Sequence, residues 1–104
     1  MWVLFYLERK IRKKTNLIIK VKILNRLGLH ARPAALIARC AAKFKSTVSL
    51  TPDGGTQADA KSILSLLMLG APCGTVLALE ANGQDEAEAV EALRDLFDSK
   101  FDED

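Results

Sequence analysis

His30 is the only histidine of the chain, set in the run Asn25-Arg-Leu-Gly-Leu-His-Ala-Arg-Pro-Ala34. Neutral imidazole is a good nucleophile near neutral pH, so such a side chain can attack phosphorus directly and hold the group as a phosphoramidate without a metal. Arg32, two residues further on, can add charge-assisted hydrogen bonds to phosphoryl oxygens. Spacing alone leaves two readings open: a phosphoryl acceptor with its guanidinium partner, or a histidine that caps a helix beside a solvated arginine.

The remaining reactive side chains narrow the field. Cys40 and Cys73 lie 33 positions apart with no CxxC spacing, and one histidine is too few to complete a zinc site with them, so no metal site and no disulfide framework are expected. Cys40 falls on the apolar face of a helix and reads as core, whereas Cys73 sits in a Gly/Pro loop. Ser62 stands at the start of a second helix, where its hydroxyl can accept a bond from free backbone N–H groups.

These residues need elements to position them. Alternation over Asn16–Leu24, with Leu17, Ile19, Val21 and Ile23 on one face, predicts a half-buried strand. Gly28 breaks that period and marks a loop. Leu36, Ile37, Cys40, Ala41 and Phe44 then recur at helical spacing, and Pro33 is compatible with a helix only in its first turn. The helix therefore starts at about Ala31, with His30 at its cap, where first-turn N–H groups and the helix dipole favour an anion.

Thr47–Thr51, the turn Pro52-Asp-Gly-Gly55 and Thr56–Ala58 read as a hairpin. Lys61–Met68 is a short helix, apolar nearly all round, which Gly70 and Pro72 end. Such a helix cannot bury every side chain against one sheet, so Ile63, Leu64 and Leu67 are candidates for a partner-docking patch, with core packing as the rival reading. Thr75–Ala81 is the last strand, Asp85 and Glu88 stand in capping-box spacing, and Ala87, Val90, Leu93 and Phe97 form the stripe of the final helix. Phe101-Asp-Glu-Asp104 is expected to fray. The order β-α-β-β-α-β-α predicts an α+β chain folded as a two-layer, open-faced sandwich.

Composition is that of a soluble domain: 104 residues, 49% hydrophobic and 27% charged, enough for one core. The net charge of +2 conceals a segregation, with 12 Lys or Arg against one acid in residues 1–45 and 3 against 12 in residues 46–104. A basic half can attract phosphate, acidic protein or nucleic acid, or simply form a solvated face. The single Trp and single Tyr both fall before residue 16, so an aromatic platform for RNA bases is lacking and no nucleic-acid partner is expected. A ligand-sensing α/β module is the other alternative, but it has no need of His30.

Residues 1–15 run apolar first and basic second, the reverse of an export signal, and the apolar part is too short to span a membrane. They read as an extension ahead of a domain at 16–104, disordered or produced by an upstream start codon, with contact with an anionic membrane surface as the rival reading.

The run Leu27-Gly-Leu-His-Ala-Arg-Pro-Ala34 resembles the active-site signature of the HPr family of phosphotransferase-system carriers, and Ala58-Asp-Ala-Lys-Ser-Ile63 resembles the second signature of that family. Asn25–His30, Leu66-Leu-Met-Leu69 and Phe101–Asp104 are most similar to its nitrogen-related branch, the NPr type, rather than the sugar-transport type. The resemblance implies an antiparallel sheet of order 1-4-2-3 covered on one face by three helices. It implies that His30 takes phosphate on Nδ1 from enzyme I, charged by phosphoenolpyruvate, and passes it to a IIA protein, with Arg32 stabilising the group in transit. It further implies a cytoplasmic protein with no cofactor, and a site at Ser62 for HPr kinase/phosphorylase in hosts that have that enzyme. A carrier presenting one site to successive partners is expected to be a monomer. One departure stands out: Leu27 occupies a position where many sugar-system carriers have Asn or Ser, so a side-chain contact to phosphate is lost and backbone N–H groups must do more.

Overall fold

Alternation sets the first strand, β1 (Leu17–Lys22), whose odd-numbered residues turn inward and whose even-numbered residues face solvent. The structure is a computed structural model that describes residues 16–103; the expected extension at 1–15 and the last residue, Asp104, lie outside them. After β1 come α1 (Ala31–Ala42), β2 (Thr47–Pro52), β3 (Ala58–Asp59), α2 (Ile63–Met68), β4 (Val76–Asn82) and α3 (Glu86–Asp98), closed by a tight turn at Lys100–Asp102. The four strands form one antiparallel sheet in the order β1-β4-β2-β3. Central β4 pairs Leu79 with Ile19 on one side and with Leu50 on the other.

One core joins the inward face of the sheet to the helices, with Val21, Val48, Leu50, Leu77 and Leu79 meeting Ile37, Leu66, Val90, Leu93 and Phe97. The helices thus share one face, as expected for the open-faced sandwich, and the other face carries the polar side of the strands. No described helix is long and apolar enough to cross a membrane.

Four local expectations are corrected. The buried stripe of α1 is Pro33, Ala34, Ile37, Ala38 and Ala41, while Leu36, Cys40 and Phe44 pack only partly against the core. Small residues let the helix approach closely, and the larger ones fill its flanks. Partial burial still pushes the Cys40 thiol up. The second arm of the hairpin is shorter and later than Thr56–Ala58: only Ala58 and Asp59 pair with β2, because the Asp59 carboxylate accepts the Lys61 N–H at 2.9 Å and turns the chain into α2. On α3 it is Ala89 that is buried, and Ala87 is exposed.

The fourth correction concerns the tail. Rather than fraying, Phe101 is fully buried and meets Phe97 edge to face at a centroid distance of 5.0 Å. To reach that position Lys100, Phe101 and Asp102 all take left-handed backbone angles, with φ between 55° and 57°. Each such non-glycine residue costs on the order of 1 kcal/mol, so the turn persists only where its surroundings hold it. Phe101 anchors it in the core, and Glu103 anchors it at His30.

Candidate functional site

Asn25 builds the loop that delivers His30. The Gly28 N–H donates to the Asn25 carbonyl at 3.1 Å, and the fully buried Asn25 side chain returns a bond from Nδ2 to the Gly28 carbonyl at 2.7 Å. Gly28 has φ +74°, and a Cβ there would lie 2.7 Å from the Ala71 carbonyl oxygen. No side chain fits. Leu29 is then buried and donates its N–H to Ala71 at 2.9 Å, which holds the His30 loop against the loop that leaves α2.

His30 occupies the N-cap position of α1 in extended geometry, as the spacing of Pro33 predicts, yet its side chain makes no capping bond. The first-turn donors are left open as a result. Ala34 donates to the His30 carbonyl at 3.0 Å and Pro33 has no N–H. Among the described residues, the amides of Ala31 and Arg32 find no protein acceptor. Two free N–H groups at a helix start, with the dipole behind them, suit a phosphoryl group. Arg32 is exposed beside them and free to turn toward an anion.

The imidazole is about one-third exposed and its Nε2 lies 2.7 Å from Glu103 Oε1. The same carboxylate oxygen accepts Asn25 Nδ2 at 2.8 Å. The bond with His30, ahead of the bond with Asn25 and the positive charges of His30 and Arg32, holds the Glu103 carboxyl below the usual range despite partial desolvation. Spacing around His30 assigns no role at this site to Asn25 or Glu103. Asn25 reads only as part of a loop, and Glu103 belongs to an acidic tail whose one local signal is its lone apolar residue, Phe101.

The other candidates make no side-chain hydrogen bond with His30, whose ring bonds Glu103. Ser62 is the N-cap of α2, and its Oγ accepts the Ser65 N–H at 3.2 Å. Beyond it Ile63, Leu64 and Leu67 are exposed by 44%, 68% and 38%, while Leu66 alone of that helix is buried. Met68 and Leu27 are exposed too, so the apolar surface is broader than the three leucine and isoleucine positions expected. Asp85 and Glu88 do not form a capping box. Asp85 accepts the N–H groups of Lys45 and Ser46, both at 2.9 Å, and the Ser46 hydroxyl at 2.5 Å, and the reach-back to Gly83 comes from Glu86 at 3.1 Å.

An open-faced sandwich that presents one histidine at a helix start with free amides defines a class of small histidine-bearing carrier domains. Residues 18–99 match the family described as PTS HPr component, phosphorylation site. The phosphocarrier protein NPr of Proteus mirabilis is 46% identical over 85 residues, which cover 82% of this chain and 94% of that protein. The phosphocarrier protein HPr of Treponema pallidum is 45% identical over 83 residues, covering 80% and 93%. Among solved structures, HPr-C-His from Thermoanaerobacter tengcongensis superposes with a TM-score of 0.80 at 44% identity, covering 85% of this chain and 98% of that one. The chain belongs to the HPr family of phosphocarriers and is NPr-like.

Proposed function

We propose that this protein accepts a phosphoryl group on Nδ1 of His30 from enzyme I, itself charged by phosphoenolpyruvate, and passes it to a IIA protein of the nitrogen-related branch. The observation that carries the reading is a partly exposed imidazole, at a helix start, that leaves the Ala31 and Arg32 amides open. Those amides and the Arg32 guanidinium bind the phosphoryl oxygens while the group is held. Ile63, Leu64 and Leu67 give partners an apolar footing, with the Leu29–Ala71 bond keeping the two loops together. Ser62, partly exposed at the cap of the same helix, is the site for HPr kinase/phosphorylase where the host has it; a phosphate of about −2 charge there would disfavour an acidic partner.

The branch assignment rests on the likeness of Asn25–His30, Leu66–Leu69 and Phe101–Asp104 to NPr-type carriers, and the near-equal identity to HPr-named relatives makes the sugar branch the competing outcome. Incubation with phosphoenolpyruvate and enzyme I of either branch tests both points by intact mass. One acid-labile phosphate is expected, charged faster by the nitrogen-branch donor and absent in His30→Ala. Charging of His30→Ala would overturn the acceptor, and preference for the sugar-branch donor would overturn the branch.

A further inference from the structure

We infer that Glu103 is a positioning residue for phosphoryl transfer: its carboxylate fixes the His30 ring with the proton on Nε2 and so presents Nδ1 as the nucleophile. This inference rests on the carrier reading above. A carboxylate can only accept hydrogen bonds, and Glu103 Oε1 already accepts one from Asn25 Nδ2. At 2.7 Å from Nε2, the same oxygen requires that nitrogen to be the donor. In neutral imidazole the lone pair then resides on Nδ1. The arrangement resembles the logic of a base oriented by a third group, here applied to the nucleophile itself.

The chemistry balances on these groups. The Nδ1 lone pair forms the new N–P bond, and the bond from phosphorus to the donor breaks with its electron pair returning to the donor. The Nε2 proton stays in place throughout. The ring becomes cationic as the bond forms, and Glu103 stabilises that charge from the side facing away from the attack. Arg32, whose charge also acts on Glu103, balances the carboxylate in the resting site. Asn25 fixes the carboxylate oxygen, and the left-handed turn with Phe101 in the core fixes the backbone that carries it.

The test uses the full chain and two readouts. Nitrogen-15 NMR of the uncharged protein, above the range in which the imidazole protonates, is expected to show a single Nε2–H tautomer in the wild type and a mixture in Glu103→Ala. That spectrum needs no donor, so it is independent of whether the carrier reading survives. Phosphoryl uptake from charged enzyme I is expected to slow by about 10- to 100-fold in Glu103→Ala and by less in the isosteric Glu103→Gln, which also guards against loss of the tail fold. An unchanged tautomer distribution in both variants, or uptake as fast as or faster than wild type in both, would overturn the inference. A wild type with the Nε2–H tautomer that takes no phosphate would overturn the carrier reading instead.

Discussion

Two helices of this protein begin with a side chain that turns away from its own first turn, and they do so to different ends. At α3 the Asp85 carboxylate accepts three bonds from Lys45 and Ser46, using both of its oxygens, and so latches the chain ahead of β2 onto the start of the helix. At α1 His30 makes a single side-chain bond, to Glu103, and leaves a ring nitrogen and two backbone amides without protein partners among the described residues. A carboxylate engaged on both oxygens by another segment of the chain ties two elements together, so this corner reads as architecture. The corner with vacancies is partly exposed, and it can serve chemistry. Between them α2 starts in the ordinary way, with Ser62 capping its own helix.

That contrast can be broken at its weakest support. Phe101→Ala removes a fully buried ring and is expected to cost about 3–5 kcal/mol, read by chemical denaturation. It should also release Glu103 from His30 while the Asp85 latch stays intact, visible as amide shifts at the Asn25–Arg32 segment, the tail and the end of α3 around Phe97, with Lys45 and Ser46 little changed. Shifts of equal size at Lys45 and Ser46 would mean the two corners are not separate.

Acid sharpens the difference from the other side. The Ser46 hydroxyl, followed by the Lys45 and Ser46 amides, lowers the Asp85 pKa to about 2 from 3.8. A carboxyl depressed on folding contributes stability that is present above its unfolded value and lost as pH falls through its folded value. Wild type is therefore expected to exceed Asp85→Ala in unfolding free energy above about pH 4, with the gap closing toward pH 2. A gap independent of pH over that window would contradict the latch. The smallest effect is expected at the ordinarily capped helix: Ser62→Ala should cost about 1 kcal/mol in denaturation and leave the rate of phosphoryl uptake unchanged.

Much of this was legible from local pattern. The strands show as period-two alternation, and Pro33 confines the start of α1 so tightly that His30 falls at its cap. What was not legible is contact across the chain. Glu103 meets His30 and Asn25 from 73 and 78 positions away, and no spacing rule reaches that far. Asp85 misled because its capping spacing is genuine, yet nearby Ser46 and Lys45 donors compete for the same oxygens. The tail misled because three consecutive left-handed residues without glycine are disfavoured locally, and only burial of Phe101 in the finished core makes the turn hold.

On this reading the open amides at the start of α1 hold a phosphoryl group on one particular nitrogen of His30. Phosphorus–nitrogen coupling in the NMR spectrum of the charged, nitrogen-15-labelled protein tests it most directly. Phosphorus bonded to Nδ1 of His30 is the expected result; coupling to Nε2, or phosphate on any other side chain, would contradict it.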